Sequence, residues 1–290
     1  MFLTFLSDLG YEDTFLGVCK GVIARIAPDV PVLDVLHLVR PQDVEQGAGV
    51  LAGAVPFLPT PAVHLAVVDP FRTIPARGIA VRTADGSTFV APDNGLTSQA
   101  WQAAGGAVSA HVLDDPSLWW PNAARTFRAR DVFSPVAARL AAGLPIEQVG
   151  TQVAVEDLER LELREAHLHD DHVHGEIEQV DHFGNLTLNM QRHHVEAAGI
   201  TLGDDVEIRC GGKTLQVRYT LTYGEVTRGR IALCEDSFRT MCVAVNQGSA
   251  ATVLRARRAD PIVIARVHAE APPAVGPVRV YDAAPSTVTP

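Results

Sequence analysis

Cysteine is scarce in this sequence, and no two cysteines stand close together. The four, Cys19, Cys210, Cys234 and Cys242, form no CxxC pair. That argues against a disulfide framework or a cysteine-based zinc site, and it fits a reducing cytoplasm. Basic charge is also in short supply, with 24 Lys and Arg against 34 Asp and Glu and a net charge of −10. No basic run appears, so a nucleic-acid partner is not expected, because phosphate contacts are carried mostly by Lys and Arg. No apolar run is long enough to span a bilayer. The opening MFLTFLSDLG lacks a basic leader and a small-residue cleavage site and is not read as a signal peptide. The expectation is a soluble, cytoplasmic protein with no membrane partner.

What is present is an ordinary globular composition, 47% hydrophobic and 20% charged, in 290 residues, enough for one large or two ordinary domains. Phe2–Leu6 is a short apolar run halted by Ser7-Asp8-Leu9-Gly10, and Thr14–Ile26 follows with apolar residues near helical spacing. Val32–Leu38 reads as a strand, Asp43–Leu58 as a helix capped by Asp43, and Val63–Val68 as a strand buried on both faces. Ile79–Arg82 and Thr88–Ala91 read as a hairpin, and Thr97–Ala104 and Val132–Ala142 as helices. Alternating strands and helices predict an α/β domain over residues 1–165, with a mostly parallel sheet flanked by helices. From residue 175 the pattern changes to short β segments separated by Gly and Asn turns, predicting a smaller all-β barrel or sandwich domain over 175–268. Residues 166–174 read as a His-rich linker and 269–290 as a flexible tail.

Several turns carry candidate chemistry, each with a plainer structural alternative. Asp8 and Asp13 follow the first strand, where ligands of open α/β sheets bind; a carboxylate there can accept ribose hydroxyls or hold an ammonium, or simply cap the next helix. Asp69-Pro70 ends the third strand at the same edge, and Asp93-Asn94-Gly95 is a tight loop able to line a pocket or only to turn the chain. Arg128, Arg130 and Asp131 suit an anion site or a structural ion pair. Asp181, Phe183 and Asn185 group a carboxylate, an aromatic ring and an amide in one turn. Such groups can hold the charged end of an amino acid beside a flat base, although Asp, Gly and Asn also build ordinary turns. His167, His169, His172 and His174 invite a metal reading, but their polar setting favours a solvated connector, and no metal site is expected.

Taken in order, these segments resemble one family, the S-adenosylmethionine hydroxide adenosyltransferases, relatives of the fluorinases and chlorinases. The matching pieces are Ser7-Asp8-Leu9-Gly10 with Gly17 and Lys20-Gly21-Val22-Ile23, Val67-Val68-Asp69-Pro70, and Ala91-Pro92-Asp93-Asn94-Gly95-Leu96. They continue through Thr126-Phe127, Arg130-Asp131-Val132-Phe133, Asp181 with Phe183-Gly184-Asn185-Leu186, and Val245-Asn246-Gln247-Gly248-Ser249-Ala250. The resemblance implies an α/β domain followed by a β domain, and a homotrimer with sites at subunit interfaces. It places Asp8 on the ribose hydroxyls, Asp13, Asp181 and Ser237 at the methionine end, and Phe183, Asn185, Val245 and Gln247 around the adenine. Asn94 is expected to join the substrate contacts.

The reaction implied is displacement of methionine from the ribose 5′ carbon of S-adenosylmethionine by water, with no cofactor. A sulfonium leaves as a neutral thioether, so what is needed is a nucleophile held in line and shielded from bulk water. The family's Asp-Arg-His set around that water is altered here. Asp69 keeps the Asp, Ala76 stands at the Arg position with Arg77 beside it, and Arg128 stands at the His position. Phe71-Arg72-Thr73 replaces a Gly-Val-Gly, and Gln42 stands where relatives often carry an aromatic. Asp69, Arg77 and Arg128 are the expected catalytic residues. The alternatives are substitution by another anion, which Asp69 disfavours by repulsion, and a weakened binding protein for S-adenosylmethionine or adenosine.

Overall fold

The computed structural model describes residues 1–71, 77–162 and 164–267. The expected tail at 269–290 lies outside them, as do Arg72 and Ala76. The chain divides into two units, Met1–Glu162 and Leu163–Pro290.

In the first unit, β1 (Phe2–Ser7) leads to α1 (Phe15–Ile26), β2 (Val32–Leu36), α2 (Val44–Ala54) and β3 (Ala62–Val67). Then come β4 (Gly78–Thr83), β5 (Thr88–Pro92), α3 (Ser98–Ala103), β6 (Ala107–Val112), α4 (Ser134–Ala141) and a two-residue β7 (Gln152–Val153). The sheet order is β2-β1-β3-β5-β4-β6-β7. The expectation of a mostly parallel sheet holds for β2-β1-β3-β5, whose pairings are all parallel. The remaining pairings are antiparallel, so the sheet as a whole is mixed. The cause is local: β4 and β5 are joined by a turn too short for a crossover, which leaves only the hairpin arrangement.

Alternation along β1 and β3 serves both faces of the sheet. Leu3, Phe5, Val63, Leu65 and Val67 pack with Cys19, Ile23 and Val136 under α1 and α4. Leu6 and Ala66 pack with Ala48, Leu51 and Trp101 under α2 and α3. Every residue of β3 is buried, which is why it reads as an unbroken apolar run. β6 escaped the sequence reading because Ala107–Val112 has little apolar pattern of its own; its ladder with β4 defines it.

The second unit corrects the linker. Residues 166–174 are not a connector: β8 (His167–His169) and β9 (His172–Val180) form an antiparallel hairpin. His167 lies opposite His174 and His169 opposite His172, so the four imidazoles share one face. Val173 enters the core from the other face, and Asp170, with φ +55°, makes the turn. Alternating His-x-His is therefore strand periodicity rather than a solvated connector. Among the described residues no group of three or more His, Cys, Asp or Glu is placed to hold a metal ion.

β10 (Leu186–Gln191), α5 (Arg192–Ala197), β11 (Asp205–Cys210), β12 (Lys213–Tyr219), β13 (Ile231–Glu235), β14 (Thr240–Val245), α6 (Ala250–Leu254) and β15 (Pro261–Arg266) complete the unit. Pairing runs β9-β10-β14-β13-β12-β11-β15 and back to β9, closing a seven-stranded barrel with β8 attached outside. Closure leaves no open sheet edge in the ring, and Val173, Ile177, Leu188, Met190, Val243 and Ile264 help fill its core. No described helix is long and apolar enough to cross a membrane.

Candidate active site

The carboxyl ends of the parallel strands carry the expected groups. Asp8 follows β1, His37 follows β2, and Asp69 stands just beyond β3. In parallel sheets this edge is where ligands settle, because the βα turns there open away from the core. A cavity of about 590 Å³ opens at this edge, lined by Asp8, Phe15, Pro70, Phe71, Phe127 and Arg128 among others. The volume is in the range of small-molecule sites.

Asp8 is held within the cavity wall, where its Oδ2 accepts a hydrogen bond from the Gln42 backbone N–H at 2.9 Å. Gln42 adopts φ +65°, which turns that amide inward. Asp13 lies at the start of α1, where Oδ1 accepts from the Phe15 N–H at 2.9 Å. Asp13 thus closes a local turn one residue ahead of Thr14, which caps the helix without a side-chain bond.

Asp69 sits at φ +41°, a left-handed conformation that few residues tolerate. Asn94 braces this turn from the protein side. Its Nδ2 donates to the carbonyls of Val68 and Asp69 at 2.9 and 3.0 Å, and its Oδ1 accepts from the Leu96 N–H at 3.2 Å. Only 4% of Asn94 is exposed. Both of its N–H donors are therefore committed to the chain. The sequence pattern could not separate the two roles, because a brace and a ligand contact both call for an amide.

Arg77 is likewise engaged inside the protein. Its Nε lies 2.8 Å from Asp93 Oδ2, its Nη2 also pairs with Asp93, and Nη2 donates to the Asp157 carbonyl at 3.1 Å. A guanidinium so bound clamps the Asp93 loop to the backbone at Asp157. Arg128 differs. It lines the cavity, and its buried Nε has no hydrogen-bond partner among the described residues. Burial pushes its guanidinium below the usual value, and its head rests 5.6 Å from the Phe133 ring centroid. Next to it, Arg130 and Asp131 form the structural pair. Nε to Oδ1 is 2.6 Å and Nη2 to Oδ2 is 2.7 Å, while Asp131 also accepts from the Ala124 N–H. This fully buried carboxylate ties residues 124–131 together and thereby supports the wall that carries Arg128.

In the second unit the candidates group by turn. Asp181 Oδ1 accepts from the Phe183 and Asn185 N–H groups, both at 2.8 Å, and Oδ2 accepts from Asn185 Nδ2 at 2.8 Å. The turn thus locks itself and displays Phe183, 73% exposed. Gly184 has φ +81°, and a Cβ there would collide with Ser249, so only glycine fits. A parallel device surrounds Ser237: Asp236 accepts from the Phe238 and Thr240 N–H groups at 2.8 and 3.1 Å. Thr187 Oγ1, one strand over, also reaches Asp236 at 3.2 Å, linking the two turns. Val245 is buried, while Gln247 is exposed at φ +57° in the turn after β14.

The sequence reading does not include His37 or Phe15 among the residues of this edge. The available signal was the position of Asp34-x-x-His37 at the end of a parallel strand.

Comparison with known proteins follows the same division. The SAM hydroxide adenosyltransferase N-terminal domain model matches residues 3–150, and the C-terminal domain model of the same family matches residues 175–263. A protein of Salinispora tropica named (R)-S-adenosyl-L-methionine hydrolase is 40% identical, covering 87% of this chain and 93% of that one. A Thermus thermophilus protein of the same name is 39% identical, covering 89% and 97%. A fluorinase of Nocardia brasiliensis is 29% identical, covering 72% and 78%. Among solved structures, an uncharacterized conserved protein from Thermotoga maritima superposes with a TM-score of 0.85 at 33% identity, covering 91% of this chain and 100% of that one. On these grounds the chain belongs to the SAM hydroxide adenosyltransferase family.

Proposed function

We propose that this protein hydrolyses S-adenosylmethionine to adenosine and methionine. The oxygen of water attacks the ribose 5′ carbon, the carbon–sulfur bond breaks with its electron pair going to sulfur, and the water's proton is released. The observation that carries this reading is the cavity where β1 and β3 end, with Asp8 in its wall and Asp69 at the end of β3. Relatives named as hydrolases, 39–40% identical over most of the chain, support it.

Asp8 receives the ribose hydroxyls. Asp69 orients the attacking water and takes up its developing positive charge. Arg128, with an unsatisfied Nε in the cavity wall, supplies the second polar contact that holds the water in line. The turns of Asp181 and Ser237 serve the methionine end, and Phe183 with the Val245–Gln247 turn offers a flat face and backbone polar groups to adenine. No redox or group-carrying cofactor is needed, because the sulfonium is already an activated leaving group. The site is completed in a homotrimer, as the family resemblance implies. Sedimentation equilibrium should then return three times the 31.1 kDa chain mass, and a monomer would overturn that assembly. A cytoplasmic location accords with four buried free thiols.

The decisive assay is incubation with S-adenosylmethionine, with and without chloride, followed by chromatography. The expected product is adenosine, formed equally without salt. Product only when halide is present would favour the second reading, substitution by an anion, which Arg128 suits and Asp69 opposes. Stabilisation by ligand without product would identify a binding protein. Asp8→Ala should raise KM by about tenfold or more, since it removes charge-assisted hydrogen bonds worth about 1.5–3 kcal/mol.

A further inference from the structure

A polar chain runs from the exposed Lys20–Asp34 pair inwards to the Asp8 turn. Lys20 Nζ lies 3.0 Å from Asp34 Oδ2. Asp34 Oδ1 lies 3.2 Å from His37 Nε2, close although not aligned for a strong hydrogen bond. His37 Nδ1 is 2.7 Å from Ser7 Oγ, and Ser7 Oγ accepts from the Leu9 N–H at 3.4 Å. Ser7 and His37 are both fully buried. The His37 ring is held edge-on by Phe5 at 4.8 Å and Tyr11 at 5.6 Å between centroids. Its own carbonyl accepts the Gly10 N–H at 2.8 Å. The turn that carries Asp8 is thus gripped on both sides by one residue, through Ser7 before it and Gly10 after it.

The direction of the chain follows from its ends. Ammonium only donates and carboxylate only accepts, so the neighbour of Asp34 keeps its proton on Nε2. Nδ1 is then an acceptor, Ser7 Oγ–H donates to it, and the remaining lone pairs of Ser7 face the Leu9 amide. The donors from Leu9 through Ser7 and His37 thus point towards Asp34, which Lys20 meets from the other side. Burial pushes the His37 imidazole below its usual value, favouring this neutral form.

We propose that His37 is a positioning residue for substrate binding: acting through Ser7 and Gly10, it holds the turn on which Asp8 meets the ribose hydroxyls. This rests on the reading of Asp8 given above. His37 touches no substrate, and its effect is on the placement of a carboxylate that does.

The test is steady-state kinetics on Asp8→Ala, Ser7→Ala, His37→Gln and His37→Asn, with melting temperatures measured alongside. Asn places its side-chain oxygen where Nδ1 stands and keeps the Ser7 bond; Gln reaches towards Asp34 and loses it. Ser7→Ala and His37→Gln should each raise KM about tenfold with kcat nearly unchanged, the loss of about one buried hydrogen bond. His37→Asn should recover most of that, and the Ser7→Ala/His37→Gln double variant should be no worse than the poorer single one. If His37→Asn is as poor as His37→Gln, if the double variant is additive, or if only the melting temperature falls, the positioning role is wrong. Should Asp8→Ala itself leave KM unchanged, the reading of Asp8 fails instead.

Discussion

Asp69→Asn should lower the rate of adenosine formation by about a hundredfold or more while leaving substrate affinity within about threefold. General acid–base groups contribute roughly 10²–10⁴ to rate, and a carboxylate that orients water is lost when it becomes a neutral amide. The substitution is chosen for its tolerance. Asn occupies the left-handed conformation at φ +41° at least as readily as Asp, and the Asn94 brace bonds only to backbone carbonyls of this turn. Fold and binding are therefore preserved, and the loss belongs to chemistry. Single-turnover rates measured beside calorimetric affinity separate the two effects. A variant that turns over at the parent rate would remove Asp69 from the mechanism and leave Arg128 as the group to examine.

Acid should weaken the protein through His64. This side chain sits on β3, 1% exposed, with Nδ1 2.8 Å from Thr4 Oγ1 and its ring 4.6 Å from that of Phe89. Burial lowers its pKa from 6.5 to about 4, with Asp85 opposing weakly. Between those values the unfolded chain binds a proton that the folded chain does not, so stability falls as pH falls through that window. The full effect is on the order of 3 kcal/mol, and it is complete by about pH 4. His64→Gln can keep a bond to Thr4 but cannot titrate. Denaturant unfolding at pH 7 and at pH 4.5 should show a smaller acid loss in the variant than in the parent, by about 2–3 kcal/mol. Equal losses in both would place the acid sensitivity elsewhere.

Much of the framework was legible because local chemistry and final structure agree. β1 and β3 are apolar runs ended by Asp-containing turns, and burial on both faces requires that pattern. The short turn between β4 and β5 announces a hairpin, and the glycine at 184 marks a close approach that a side chain would block. The altered residues around the reacting water were also readable, since each differs in charge or proton-transfer capacity from the family pattern. Less legible were elements that borrow their definition from neighbours: β6 has little apolar periodicity, and the histidine segment reads as a linker although its two-residue repeat is that of a strand.

The roles of individual polar side chains divide along the same line. From residue type, order and spacing alone came the α/β and all-β units, the family, and the carboxylates at the sheet edge. Those depend on short-range patterns and on motifs that survive as strings. Which polar groups remain available to a ligand was decided by tertiary structure. Arg77 is bound to Asp93, Asn94 to the carbonyls of Val68 and Asp69, and Arg130 to Asp131, whereas Arg128 keeps an unsatisfied Nε in the cavity wall. His37 reaches Ser7 only because β1 and β2 pair in parallel. A hydrogen-bond donor serves one partner at a time, and that partner is chosen by proximity in space, which no local stretch of sequence encodes.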